Sequence, residues 1–419
     1  MASTRLLPQA SRNLSRLMGE YYLRCHQEAA AGKPVAWIAI IVPIELLRGF
    51  DLVLAVPENH AAMCAAKGVG PAQCEAAEAA GYSLDLCSYA RIDLGTTFQG
   101  GRGSPTGGLP RADLLISNNN NCSLLPKWFD VYRRRQGTPH FLLDVPFCYG
   151  PQREKDLQYI LSQYHELIRF IEEHTGQKFD LDRVRQAVAC TQQAHRLWRR
   201  LLALARQRPA GITAFDTFAH MAPFLSRLRG GPELVAHLEL LVREVEEQMA
   251  RGEFPVPEEK YRLLWDNIAP WHQLRAMRSR LQGLGANLVY ASYTGCIGAL
   301  EGGTFLADLP DPDPLRHLAR RANFSVCPYG LHLRSQVMQQ VIRDYAIDGV
   351  IFVSNRSCKP YSVMQMDQKE LITAATGVPG VLVDLDHADS RKYSEDAVFL
   401  RLEALLENID AGRAKREGR

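Results

Sequence analysis

The chain has no apolar run that reaches the roughly 18 residues of a membrane span. Its longest candidate, VAWIAIIVPIELL from Val35, is short and carries Pro43 and Glu45. The N-terminal MASTRLLPQASRNLSRL lacks the apolar centre of a secretory signal, so a cytoplasmic protein without a membrane anchor is expected. There is no GxxxxGK[ST], so the chain is not expected to cradle and hydrolyse ATP by itself. No GxGxxG follows a strand-like run, there is no HExxH, and nothing forms a nucleophile elbow. A formal net charge of +3 is too small to argue for nucleic acid, and the basic tail AGRAKREGR reads as a solvated terminus. No CxxC pair exists among the ten cysteines, which argues against a zinc ribbon or a thioredoxin-type centre.

What is present is α/β in character. At 419 residues the chain exceeds what one core usually supports, so two or three domains are expected. Short runs rich in Val, Ile and Leu at 35–43, 113–117, 140–146, 286–292, 348–354 and 379–386 read as buried parallel strands followed by helices. Residues 156–206 and 233–251 carry apolar stripes at helical period with many i,i+4 charge pairs. The expected plan is a helical segment 1–34, a first α/β domain 35–155, a helical connection 156–282 and a second α/β domain 283–419. GGRGSPTGGLP (100–110) is a loop by composition.

In open parallel sheets ligands bind beyond the carboxyl ends of the strands. Cys122, Cys148, Cys296 and Cys358 each follow one of the strand-like runs, and Cys87 and Cys327 stand in loop-like contexts, DLCSYAR and FSVCPYG. The other four cysteines sit in helical, alanine-rich or charged surroundings that suit small buried hydrophobes. Thiolates at loop tips with small or amide neighbours suit an iron–sulfur cluster. Asn118 to Asn121 offer side-chain amides and tolerate tight turns beside Cys122. Glu45, after the first strand-like run, is either dipole compensation in a first helical turn or a carboxylate at the mouth of that strand, able to act as a base. His60, in PENH, reads as a surface or hydrogen-bonding residue.

The motifs DLCSYAR, NNNCSLLPKWFDVYR, LLDVPFCYG, ASYTGCIGALE, DGVIFVSNRSCKPYS and PGVLVDLDHADSRKYSE occur in this order. Together they resemble the 2-hydroxyacyl-CoA dehydratase components and the cluster-bearing subunits of ATP-dependent benzoyl-CoA reductase, over about residues 30 to 410. AVPENHAAMC and ASYTG lean toward the B-type reductase subunit. The resemblance implies two flavodoxin-like domains with a [4Fe-4S] cluster at their interface, its thiolates falling on Cys87, Cys122 and Cys358. It implies an ATP-hydrolysing activator protein with its own cluster, a paralogous subunit or second copy, and an acyl-CoA substrate such as benzoyl-CoA, reduced in anaerobic aromatic degradation. A radical dehydratase component or a double-cubane cluster reductase of small molecules is the alternative activity, and a structural or electron-carrier subunit whose paralogue binds substrate the alternative from another class. The family's carboxylate is matched to Glu45, while Ile41 and Val42 stand where a serine is often found. Asn121, Ser357 and Tyr361 are expected around the cluster. Cys148, Cys296 and Cys327 are extra thiols of the kind that related double-cubane proteins use for an [8Fe-9S] cluster.

Overall fold

All six apolar runs form strands, and two further strands join them. The computed structural model describes residues 7–298, 300–301, 304–305, 309, 311–323 and 330–417. The first sheet holds β1 (Val35–Ile38), β2 (Val53–Ala55), β3 (Leu114–Asn118) and β4 (His140–Leu143), in the order β2-β1-β3-β4. The second holds β5 (Tyr261–Asp266), β6 (Ala286–Ala291), β9 (Gly349–Asn355) and β10 (Gly380–Leu385), in the order β10-β9-β5-β6. A small antiparallel pair, β7 (Leu300–Glu301) and β8 (Thr304–Phe305), lies between β6 and β9 in sequence. Every pairing in the two large sheets is parallel. Counted in chain order and read from one edge, the first sheet runs 2-1-3-4, the flavodoxin-like order, and the second runs 2-1-3-4 from its β6 edge. The coarse α/β duplication seen in the sequence is therefore a repeated topology.

Strands β1 and β3 are buried along their whole length, which is why they read as apolar runs rather than as alternating patterns. β5 lies inside the stretch 156–282, where the sequence reading expects only a helical connection. The helices of that stretch, Glu154–Thr175, Leu181–Ala203 and Pro232–Ala250, do form. The N-terminal helix Pro8–Ala30 packs against Pro232–Ala250. There the Glu244 carboxylate accepts the Gln9 and Ala10 amides at 2.9 and 2.7 Å, an anion where the helix dipole favours one.

The two lobes are tied by buried polar contacts. The Arg91 guanidinium, from the first lobe, meets Asp389 of the second at 3.0 Å and Glu78 at 2.5 Å. Arg391 returns the connection by pairing with Glu78 and Asp389. The Trp271 indole N–H, from the second lobe, donates to the Tyr89 hydroxyl of the first. These bonds hold the carboxyl ends of the two sheets against each other.

Candidate functional site

In a 2-1-3-4 sheet the chain turns in opposite directions after the first and third strands, which leaves a crevice beyond their carboxyl ends. Both crevices of this protein open onto one cavity. Ile40 lies just past β1 and Asn121 and Cys122 just past β3, while Ile268 follows β5 and Cys358 follows β9. Cys87 completes the thiols, and Glu58, Tyr89, Trp128, Tyr293 and Tyr361 contribute to the wall.

Cys87 immediately precedes the helix Ser88–Phe98, and Cys358 the short helix Lys359–Ser362. Cys122 lies just before Leu124–Gln136, and the Leu124 amide donates to its sulfur at 3.4 Å. Backbone amides of Tyr89 and Ala90 face the Cys87 sulfur. Helix starts leave such donors unsatisfied, and they favour a thiolate. In the thiol form, burial pushes Cys87 up to about 12, with Cys122 adding to the rise, and burial also raises Cys122. These thiols stay protonated near neutrality until a metal takes the sulfur.

The bonds behind the thiols join the two lobes. The Ser357 hydroxyl accepts the Ser88 amide at 3.2 Å and donates to the Ser88 hydroxyl at 3.2 Å. Asn355 Oδ1 accepts both the backbone amide and Nδ1–H of His387, at 3.0 and 2.8 Å. Burial lowers His387 to about 4, so the ring is neutral. Its Nε2 is left to accept from the Ser88 hydroxyl at 3.1 Å and faces Cys87 Sγ at 3.8 Å.

The asparagine run divides its labour. Asn118 donates to Asn120 at 2.8 Å, Asn119 bonds Asp144 and accepts the Val145 amide at 2.8 Å, and Asn120 reaches the Ala322 carbonyl at 3.1 Å. Those three amides shape the loop instead of facing sulfur. Asn121 lines the thiol cavity.

The structure thus brings together Cys87, Cys122 and Cys358, with Asn121 and Tyr361 on the same wall and Ser357 behind it. It does not bring Cys148 or Cys296 there. Cys148 is buried after β4 with its Sγ on the Gly150 carbonyl at 2.5 Å. Cys296 borders a neighbouring cavity with Asp266, Ser292 and Arg334, and the Tyr361 ring stands between the two spaces, its hydroxyl 3.0 Å from Ser292. Cys327 lies outside the described residues.

Glu45 is also elsewhere. It is buried between Arg229 at 3.3 Å and Arg321 at 3.7 Å. Burial raises its pKa, but the two guanidinium groups outweigh that and hold the carboxyl below its ordinary range. The carboxylate that does line the thiol cavity is Glu58. It sits in the first turn of Pro57–Ala66, directly after β2, and its Oε1 accepts the Ile40 amide at 3.1 Å. Its Oε2 is buried without a hydrogen-bond partner among the described residues, and burial pushes the group up to about 7. A carboxyl of that kind exchanges a proton readily at neutral pH. The signal for it was PENH after DLVLAV, once that run is taken as a strand.

Among the described residues no three His, Cys, Asp or Glu groups converge closely enough for a single metal ion. Cys87, Cys122 and Cys358, spread around one apolar cavity with helix-start amides facing two of them, are the side chains that could hold an iron–sulfur cluster.

The family described as "2-hydroxyglutaryl-CoA dehydratase, D-component" matches residues 39–409. The alpha subunit of (R)-phenyllactyl-CoA dehydratase from Clostridium sporogenes is 30% identical, over 90% of this chain and 89% of that one. The alpha subunit of (R)-2-hydroxyisocaproyl-CoA dehydratase from Clostridioides difficile is 29% identical over 97% of each. The B-type component of benzoyl-CoA reductase from Thauera aromatica is 28% identical, over 88% of this chain and 87% of that one.

Proposed function

The chain belongs to the 2-hydroxyglutaryl-CoA dehydratase D-component family as an enzyme component, and from that premise we propose that it is the iron–sulfur subunit of an ATP-dependent, low-potential acyl-CoA reductase. The observation that carries the reading is the shared cavity of Cys87, Cys122 and Cys358 at the crevices of both sheets. Those three thiols would hold a [4Fe-4S] cluster, which when bound supplies one low-potential electron to a CoA thioester.

The chain's own residues supply the remainder. Tyr89, Trp128, Ile40 and Ile268 exclude water from the thiols, so that charge developing on a thioester carbonyl is poorly screened and depends on fixed donors. Glu58, poised near 7, gives a proton to the reduced acyl group or takes one from it. With no phosphate-binding loop in the sequence, an ATP-hydrolysing partner drives the electron uphill. The relatives are named as alpha or B-type components, which supports a further, different chain in the same enzyme.

The second reading is a radical 2-hydroxyacyl-CoA dehydratase component. It draws on the relatives themselves, since two of those described above are named as dehydratase alpha subunits. Activity with activator and reductant separates the readings: ring reduction of benzoyl-CoA against loss of water from a 2-hydroxyacyl-CoA. Anaerobic reconstitution tests what they share. We expect about four irons per chain with a cubane-type paramagnetic signal, both lost in Cys122→Ala and Cys358→Ala. About eight irons, sensitive to Cys296→Ala, would instead establish the [8Fe-9S] form. No bound iron in the native chain would end both.

A further inference from the structure

Glu58 has a second face. The wall it forms with Ile40, Tyr89 and Tyr293 is shared by another cavity of about 220 Å³, between the N-terminal helix, Pro57–Ala66, Ala214–His220 and the turn at Trp271. Its rim carries the exposed Ala66 and Ala219, and its deep end is buried at Glu58. The lining between is Met63, Phe218, Met221 and Trp271, with Ala62 and Ala222 leaving the room.

The polar groups here are mostly turned away from the space. Asn59 spends its amide on the Tyr22 hydroxyl at 2.7 Å and the Ala222 carbonyl at 3.1 Å. The Tyr89 hydroxyl accepts the Trp271 indole N–H. Among the described residues no Lys, Arg or His lines the cavity. The Glu58 carboxyl, with one oxygen unpartnered, is the ionisable group at its end.

On the reading of the thiol cavity given above, we propose that this apolar cavity is the acyl pocket, and that it selects a bulky, uncharged acyl group such as an aryl or branched alkyl chain. Volume sets the lower bound. An apolar cavity of about 150 Å³ already holds benzene, so a phenyl or isobutyl group fits here. Charge sets the exclusion. An acyl group ending in a second carboxylate would bury that charge beside Glu58 with no cation to pair it. The aromatic walls accept a ring edge-on, and Met63 and Met221 adapt to its outline. Because the pocket and the thiols meet at Glu58, an acyl group seated here puts its thioester carbon at the shared wall.

The test uses the full, iron-loaded chain and calorimetric binding of phenylpropionyl-, isocaproyl-, acetyl- and glutaryl-CoA. We expect the two bulky uncharged thioesters to bind at least about tenfold tighter than glutaryl-CoA. Ala219→Phe at the rim and Ala62→Leu inside should each weaken the bulky thioesters by about tenfold to a hundredfold while leaving acetyl-CoA unchanged. Iron content is measured on each variant, and two sites guard against one misfolded protein. Glutaryl-CoA binding as tightly as isocaproyl-CoA, or iron-replete variants with unaltered preference, would overturn the pocket while leaving the functional reading intact. No binding of any thioester by the native chain would overturn that reading, and this pocket with it.

Discussion

Glu58 and Glu45 are two buried carboxylates that the fold treats in opposite ways, and the difference is measurable. Glu45 is held ionised by Arg229 and Arg321. Glu58 faces only the backbone amides of Ile40 and of Glu58 itself and, among the described residues, pairs with no cation, so burial lifts it from the ordinary 4.5 to about 7, with Asp93 adding to the rise. A raised pKa means that the folded chain binds the proton more tightly than the unfolded one. The stability this brings is fully present below about 4.5 and is lost as pH rises through about 7. That gap corresponds to at most about 3 kcal/mol. Glu58→Gln in the iron-free chain should therefore match the native protein at pH 4.5 and exceed it by up to that amount at pH 8. Urea titrations at the two pH values check it, and parallel curves would refute it. Glu45→Gln should be destabilising by about 3 kcal/mol near neutrality, because it removes the buried carboxylate that Arg229 and Arg321 share. Neither role was legible from residue type alone. Both glutamates follow a strand and open a helix, and only the strand order decides which one faces the thiols.

At the scale of elements, the limits of the sequence reading have a common physical cause. An unbroken apolar run marks a strand buried on both faces, and β1, β3, β6 and β9 obey that rule. β5 breaks it with Arg262, whose guanidinium is buried yet satisfied by Glu259 and by the carbonyls of Tyr345, Ala205 and Gln207. None of those partners is visible from YRLLWD. β2 is three residues long and too short for any period to register. The cysteines were readable because strand ends are readable: those following β3 and β9 reach the cavity. Cys148 follows β4, an edge strand away from the crevice. The loop bonds that hold Cys87 near Cys358 join residues about 270 positions apart and left no local trace. The buried ion pair beside them gives a prediction. Arg91→Leu leaves the buried Asp389 with Arg391 as its remaining guanidinium partner, at a cost of about 1.5 to 3 kcal/mol. Reconstituted Arg91→Leu should also lose iron faster to a chelator than native protein, because the Cys87 loop is anchored through this residue. Iron loss at the native rate would show that the lobes are held in register by other contacts.

For the whole molecule, the consequence of placing both crevices on one cavity is that a metal group there would bridge the lobes. Cys87 and Cys122 come from the first sheet's side and Cys358 from the second's. A ligand that binds only the assembled form stabilises it by mass action, and one gripping both lobes couples their opening. Without it, the lobes keep the apolar core they share and the Arg91, Arg391 and Trp271 contacts. Iron removal should therefore leave the sheets folded and release the facing loops. Hydrogen exchange on iron-loaded and iron-free protein is the measurement. Amides at 86–90, 122–125 and 355–362 should lose protection most on iron removal, while β1, β5 and β9 change little. The Cys358→Ala variant, which cuts the second lobe's thiol at this cavity, should show the iron-free exchange pattern even after reconstitution. If its loops stay as protected as in the loaded native chain, the thiols are not what joins the lobes.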